Sequence, residues 1–279
     1  SQIDNIYKDS NECHRNFGEL NDKDLNSIKD ALDKNLFGHS DFKEDLMNKI
    51  LDFQILNKIE EERILSVFLC GKPGIGKTET ARIIHNALYS YSKPIKINLG
   101  NYKTGGSLNS LIGSPKGYIG SEKGGELTNK IKNSDSKIIL IDEFDKSDTD
   151  LYNFFYELLE DGKFTDLDEN EYDLNGYMII FTSNLDKTNY KDKIPAPIIS
   201  RFSMLYNFND ISTEEKNKFI EHRIKQLISK YYEKYKIEVN YENIINKMDI
   251  SVIISLNDLR QMNRIIRKEF LNFIKDIDE

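Results

Sequence analysis

The chain has 279 residues, of which 31% are charged and 38% are hydrophobic, and its formal net charge at pH 7 is −8. This composition is typical of a globular protein, and no apolar run approaches the roughly 20 residues that a membrane-spanning helix needs. The lysines are dispersed among acidic residues and form no basic stripe of the kind that nucleic-acid binders carry, so we expect neither a nucleic-acid partner nor a membrane.

The first 20 residues are polar, and we expect them to be frayed or disordered. Residues 1–11 are polar and acidic, which is not typical of a signal peptide. The two cysteines, Cys13 and Cys70, do not make a disulfide framework, and Cys70 ends an apolar run as a buried small hydrophobe would. These features favour a reducing, cytoplasmic setting.

Residues 21–208 alternate between helical and strand patterns and are predicted to form one large domain. Apolar residues recur at helical spacing over 25–36 and 42–53. The predicted strands are 64–70, 95–99, 138–141 and 178–182. Because apolar strands alternate with helices, the predicted fold is α/β, with a parallel sheet flanked by helices. Asn175-Gly176 is a hairpin turn signal, and residues 209–279 have the periodicity of a small, mostly helical C-terminal domain.

A glycine-rich loop follows the first predicted strand. Residues 71–78 read Gly-Lys-Pro-Gly-Ile-Gly-Lys-Thr and match the P-loop pattern GxxxxGK[ST] in full. Glycines let backbone N–H groups curl around phosphate oxygens, while Lys77 is expected to reach the β- and γ-phosphates and the Thr78 hydroxyl to bind Mg²⁺. A chance match is the alternative, but this loop joins a strand to a helix, as the mechanism requires. The predicted ATP-binding residues are Pro73, Gly74, Ile75, Gly76, Lys77, Thr78 and Glu79.

Two carboxylates follow the strand predicted over 138–141. If this strand ends at the carboxyl edge of the sheet, Asp142 and Glu143 lie beside the P-loop. Asp142 is then expected to hold Mg²⁺, and Glu143 to orient and polarise the attacking water. The alternative is an ordinary acidic start of a helix.

Several segments match one known family in order and spacing. They are Leu36-Phe-Gly-His39, the P-loop through Glu79, Leu111–Gly120, Gly124–Thr128, Asp142–Lys146, Leu158–Asp166 and Thr182–Asn184. Over residues 36–264 the chain thus resembles the AAA+ module of the Clp/heat-shock unfoldases, in particular their second ATPase ring. The resemblance implies a P-loop AAA+ module that hydrolyses ATP to unfold, translocate or remodel polypeptide substrates within a hexameric ring of identical subunits. It also places Phe37 and Gly38 among the nucleotide-binding residues.

The resemblance carries roles onto four further residues. Tyr118 and Ile119, within Gly117–Gly120, correspond to the pore loop that grips the substrate polypeptide, and a plain surface tyrosine is the alternative. Asn184 corresponds to the sensor of the γ-phosphate or attacking water; the alternative is a capping asparagine. Arg201 corresponds to the arginine finger that reaches the neighbouring subunit's nucleotide, the alternative being a surface ion pair.

The chain departs from the family's pattern at the second sensor. The sensor arginine aligns with the uncharged Asn257, and Arg260 and Arg264 are either substitutes for it or helix-surface charges. The missing arginine favours a second hypothesis, a non-translocating AAA+ switch whose ATP binding controls assembly or partner affinity. A nucleic-acid motor is a third hypothesis, disfavoured by the acidic charge.

No further metal site is predicted. The acidic segment Asp166–Glu171 does not fit a calcium loop, because Glu171 stands at the sixth position and Tyr177 at the twelfth, and we interpret it as an acidic hairpin arm. The histidines show no paired spacing for zinc.

Overall fold

The computed structural model describes residues 16–102, 106–114 and 124–278. The strands within these ranges are β1 (Ile64–Cys70), β2 (Ile95–Asn98), β3 (Ile138–Asp142), β4 (Lys163–Thr165), β5 (Glu171–Asp173), β6 (Tyr177–Thr182) and β7 (Met204–Asn207). The helices are α1 (Asp22–Asn35), α2 (Ser40–Lys58), α3 (Lys77–Leu88), α4 (Ser107–Ile112), α5 (Glu126–Lys132), α6 (Thr149–Asp161), α7 (Tyr190–Lys193), α8 (Ala196–Ile199), α9 (Thr213–Tyr235), α10 (Tyr241–Ile245), α11 (Ile250–Ile254) and α12 (Leu259–Asp278). None of the described helices is long and apolar enough to cross a membrane.

The central feature is a sheet of five parallel strands in the order β2-β3-β6-β1-β7. Every residue of β1 and of β6 is buried, because both strands are inside the sheet and covered on both faces. The predicted α/β fold with a parallel sheet is confirmed. The edge strand β7 was not predicted, since all four of its residues are only partly buried and show no alternating pattern.

A separate antiparallel hairpin lies between α6 and β6. Strands β4 and β5 pair with Phe164 opposite Tyr172, so the predicted acidic hairpin arm is confirmed. The hairpin predicted at Asn175-Gly176 is wrong, because that turn joins β5 to β6, which belong to different sheets. The Asp166 carboxylate forms the true turn by accepting hydrogen bonds from the backbone N–H groups of Asp168 and Asn170, both at 2.9 Å.

The ordered, packed part of the chain begins closer to its N-terminus than the sequence predicts. Phe17 is fully buried, and its N–H donates to the Gly176 carbonyl at 2.7 Å. Leu20 is only 6% exposed. The prediction of a frayed segment through residue 20 is therefore wrong for 17–20, where two apolar side chains outweigh the polar composition of the stretch.

The chain divides into two compact units that do not follow the sequence continuously. The larger unit contains the sheet and comprises the described residues up to 36, with 40–71 and 77–207. The smaller unit comprises 37–39, 72–76 and the chain from 208 onward. Its core is formed by side chains of α9 to α12 and of the connection between α10 and α11: Ile220, Ile224, Ile244, Met248, Ile253, Met262, Ile266, Phe270 and Phe273.

The segment 37–39 belongs to the smaller unit for a local reason. The Phe37 ring packs edge-on against Phe219, with centroids 5.3 Å apart, and the Gly38 N–H donates to Glu215 Oε2 at 2.9 Å. The predicted single boundary lies between residues 208 and 209, whereas the smaller unit also contains residues from before and within the P-loop.

Candidate functional site

Lys77 opens α3 directly after the glycine-rich loop. In the larger unit, β1 ends at Cys70 and is followed by Gly71, whose φ of 127° is one that an L side chain rarely adopts. Lys77 is only 5% exposed, and its Nζ donates to the Gly71 carbonyl at 2.6 Å and to Asn184 Oδ1 at 3.4 Å. The structure thus brings together Lys77 and Asn184, two residues that are distant in the sequence and linked there only by their predicted roles.

Asp142 ends β3 and is the centre of a polar group at the carboxyl edge of the sheet. Its Oδ1 accepts hydrogen bonds from the hydroxyls of Thr78, at 3.2 Å, and Thr182, at 2.5 Å. Its Oδ2 lies 2.8 Å from Lys96 Nζ. Hydroxyl and carboxylate oxygens are suitable ligands for Mg²⁺, so Thr78 and Asp142 fit the predicted metal site.

The ionisation of Asp142 is controlled by two opposing effects. Burial, the largest single influence, raises its pKa, but the hydrogen bonds from Lys96, Thr182 and Thr78 together outweigh it and hold the pKa below its ordinary value. The carboxyl group is therefore an anion at neutral pH. Sequence reasoning missed Lys96 and Thr182, which reach Asp142 from neighbouring strands.

Glu143 has an unusual backbone conformation. Its φ is 59°, in the left-handed region that is uncommon for a residue other than glycine. Its carboxylate lies against the backbone of Gly100, because a β-carbon built on Gly100 would be 1.8 Å from Glu143 Oε2. Gly100 is held in turn by the hydrogen bond from its N–H to Asn98 Oδ1 at 2.8 Å. Absence of a side chain at position 100 thus makes room for the Glu143 carboxylate.

A buried carboxylate supports the segment that carries Asn184. The Asp145 side chain is 3% exposed, and it accepts hydrogen bonds from Ser183 Oγ at 2.8 Å and from the Asn184 N–H at 3.3 Å. Sequence reasoning gave Asp145 no role, although it is the third carboxylate in Asp142-Glu143-Phe-Asp145.

Cys70 is the last residue of β1 and is fully buried, as expected. Burial raises the pKa of its thiol to about 11, against the opposing effect of the nearby Lys77 charge. The thiol is therefore protonated at neutral pH and poorly nucleophilic.

Arg201 follows α8 and contacts α6. Its guanidinium forms an ion pair with Glu160 and donates to the Tyr156 hydroxyl at 3.2 Å. The Arg201 side chain is 37% exposed. Within one chain Arg201 therefore forms the surface ion pair of the alternative interpretation, and its role toward a neighbouring subunit stays a prediction.

Contacts within the smaller unit hold its part of the P-loop. Lys72 Nζ lies 2.6 Å from Asp210 Oδ2. The Leu259 N–H donates to the Gly74 carbonyl at 3.0 Å, and His39 Nε2 lies 3.1 Å from the Ile75 carbonyl. The predicted nucleotide contacts of Phe37, Gly38, Pro73, Gly76 and Glu79 remain predictions.

The position aligned with the second sensor is occupied by an uncharged side chain with a local partner. Asn257 Oδ1 accepts a hydrogen bond from Lys216 Nζ at 3.0 Å, and Lys216 also donates to the Ile254 carbonyl at 2.8 Å. Arg260 and Arg264 are both exposed on α12. Asn257 thus serves the packing of the smaller unit.

Comparison with known proteins identifies the architecture that carries these residues. The model of a family described as an AAA domain of the Cdc48 subfamily matches residues 62–235, which contain the P-loop, Asp142, Glu143, Asn184 and Arg201. This chain belongs to the AAA domain family.

Curated relatives of this AAA domain include Clp proteins. It is 33% identical over 159 residues to the chaperone protein ClpB of Clostridium tetani, covering 57% of the chain and 18% of the relative. It is 34% identical over 127 residues to the negative regulator of genetic competence ClpC/MecB of Bacillus subtilis, covering 45% of the chain and 16% of the relative. It is 27% identical over 215 residues to the chloroplastic chaperone protein ClpB3 of Arabidopsis thaliana, covering 77% of the chain and 20% of the relative.

These matches confirm the resemblance to the Clp-type AAA+ proteins, and the chain is an ATPase module of that type. The chain spans about a fifth of the length of the curated relatives it matches.

Two predicted site residues lie outside the described part of the AAA domain. Tyr118 and Ile119 belong to the range 115–123, for which the structure gives no description. Their role in gripping a polypeptide rests on the sequence alone and stays a prediction.

Proposed function

We propose that this AAA domain hydrolyses ATP with Mg²⁺ and uses the reaction to unfold, translocate or remodel polypeptide substrates within a hexameric ring of identical subunits. The observation that carries the catalytic part is the convergence of Lys77, Thr78, Asp142 and Glu143 at the carboxyl edge of one parallel sheet. Ligands of open α/β sheets bind at this edge. The buried thiol of Cys70 agrees with a reducing compartment such as the cytoplasm.

The polar side chains of the site have complementary roles. Lys77 binds the β- and γ-phosphates, and Thr78 and Asp142 hold Mg²⁺, which when bound neutralises charge on the phosphate oxygens. Asn184, next to the Lys77 ammonium, hydrogen-bonds the γ-phosphate or the attacking water. Glu143 orients that water and accepts its proton. Arg201 of a neighbouring copy stabilises the charge that develops in the transition state.

The position of the Glu143 carboxylate can be tested through Gly100. We expect Gly100→Ala to lower ATP turnover about tenfold, because the added methyl group displaces the carboxylate from its place against the backbone. Since only the flexible end of a side chain must move, the free energy of unfolding should change by less than about 1 kcal/mol. Steady-state turnover and thermal unfolding check both expectations.

Gly18→Ala is the matched control, because its β-carbon would likewise meet the flexible end of a side chain, that of Asn57. Its turnover should equal that of the wild type. Unchanged turnover in Gly100→Ala would contradict the assigned position of Glu143.

The polypeptide part of the proposal is supported by the glycine-flanked aromatic at Tyr118 and by relatives whose names describe chaperones. An aromatic ring offers contact to any side chain, and glycines allow the loop to move. The alternative, a non-translocating switch, is favoured by Asn257, which offers no positive charge to a phosphate.

Turnover with and without an unfolded polypeptide distinguishes the two functions. For the motor, we expect polypeptide to raise wild-type turnover several-fold and Tyr118→Ala to lose that response while keeping its basal rate. The matched control is Tyr91→Ala, since Tyr91 is 93% exposed and has no assigned role. A wild-type rate indifferent to polypeptide, or an equal response in Tyr118→Ala, would favour the switch.

A further inference from the structure

The Asp258 carboxylate, at the start of α12, contacts the P-loop. Within the smaller unit, a β-carbon built on Gly74 would lie only 2.0 Å from Asp258 Oδ1, so the carboxylate is in van der Waals contact with the Gly74 backbone. The next residue, Leu259, donates its N–H to the Gly74 carbonyl at 3.0 Å. Two consecutive residues of the chain thus hold the same loop residue.

The Leu259 hydrogen bond also determines which way the loop's donors point. In a trans peptide the carbonyl oxygen and the following N–H point in opposite directions. Because the Gly74 carbonyl faces α12, the Ile75 N–H is directed away from α12, on the opposite side of the loop backbone from Leu259. The Asp258 carboxylate, which contacts Gly74, therefore lies close to the peptide whose N–H is predicted to bind phosphate.

The described side chains around Asp258 do not neutralise its charge with an ion pair. Asp258 accepts backbone hydrogen bonds from Arg260, at 2.7 Å, and Gln261, at 3.4 Å, as the N-cap of α12. No described side chain forms an ion pair with Asp258. The neighbouring Asn257, at the position where the Clp resemblance expects an arginine, is uncharged and binds Lys216.

We propose that Asp258 is a positioning residue that weakens the binding of phosphate-bearing nucleotides: it holds the phosphate loop in its conformation while its charge repels the polyphosphate. The inference rests on the proposed ATP-binding function and concerns its affinity. A negative charge close to an anionic ligand lowers affinity in proportion to the charge of that ligand. The effect must therefore increase from adenosine to ADP to an ATP analogue.

The test compares Asp258→Asn with the wild-type chain. Asparagine keeps the shape and the N-cap of the aspartate and removes its charge. We expect the Kd of a non-hydrolysable ATP analogue to fall about fivefold and that of ADP about threefold, with no change for adenosine. Calorimetry measures the nucleotides, and displacement of a fluorescent ADP measures adenosine. The gain should shrink as KCl rises from about 0.05 M to about 0.5 M, since salt screens the charge.

Two further variants separate charge from structure. Asp258→Ser, another good N-cap, should reproduce the asparagine result. Glu269→Gln removes one negative charge from the same helix about 16 Å further along its axis, and should leave all three affinities unchanged.

Nucleotide affinities in Asp258→Asn equal to those of the wild type would overturn the inference. So would an equal shift for adenosine, because a purely structural role affects all three ligands alike. A wild-type chain that binds no ATP analogue would instead contradict the proposed function, and this inference would fail with it.

Discussion

Replacing Glu143 by glutamine is expected to lower ATP turnover by about 100-fold or more while ATP binding persists. The amide has nearly the same size as the carboxylate, so it keeps its place against Gly100. It cannot accept a proton from water, however, and the attacking nucleophile is no longer activated. Lys77, Thr78 and Asp142 are unchanged, so the affinity for ATP should stay within about threefold of the wild type.

The matched control is Glu157→Gln, which removes an exposed carboxylate from α6 that has no assigned role. Single-turnover hydrolysis and equilibrium binding should be measured on both variants. Normal turnover in Glu143→Gln would show that another group activates the water. Loss of ATP binding would show that Glu143 contributes to the binding of ATP and not to the chemical step.

Replacing Arg201 by alanine is expected to lower turnover of the assembled protein by about 1,000-fold, with little change in ATP affinity. The reason is that Arg201 is assigned to the nucleotide of a neighbouring copy, where it stabilises charge only in the transition state. In the described chain its guanidinium is paired with Glu160 and contacts Tyr156, so this partner must be exchanged on assembly.

Glu160→Gln is the control for that ion pair. If Arg201 acts only in a surface ion pair, the two variants should behave alike, with unfolding free energies lowered by about 1 kcal/mol or less and normal turnover. If Arg201 is catalytic in a neighbour, Glu160→Gln keeps turnover and Arg201→Ala loses it. Turnover per chain, measured at the highest protein concentration at which the protein is assembled, distinguishes the surface ion pair from the catalytic role in a neighbouring subunit.

The placements predicted correctly from the sequence are those encoded by consecutive residues, whereas the roles of these residues stay predictions. The P-loop residues 71–78 and the pair Asp142-Glu143 each follow an apolar strand, and the parallel arrangement of such strands brings their ends to one edge. The local pattern was sufficient there because strand, turn and helix start are contiguous in the chain.

The features that were missed depend on residues distant in sequence. Lys96 and Thr182 reach Asp142 only through the pairing of β3 with β2 and β6, which no local pattern encodes. The inclusion of residues 37–39 in the smaller unit depends on the Gly38–Glu215 hydrogen bond, which joins residues 177 positions apart. The Asn-Gly signal at 175–176 was misassigned for a different reason: such a dipeptide specifies a turn but not which strands pair around it.

We propose that the ATPase site of one copy is completed by Arg201 of another copy, and mixing two inactive variants tests this proposal most directly. Arg201→Ala keeps Glu143, and Glu143→Gln keeps Arg201, so a mixed assembly contains sites with both groups. We expect each variant alone to be nearly inactive and turnover to reappear when the two are combined at concentrations that allow assembly. Normal turnover in Arg201→Ala alone, or no recovery at any mixing ratio, would contradict it.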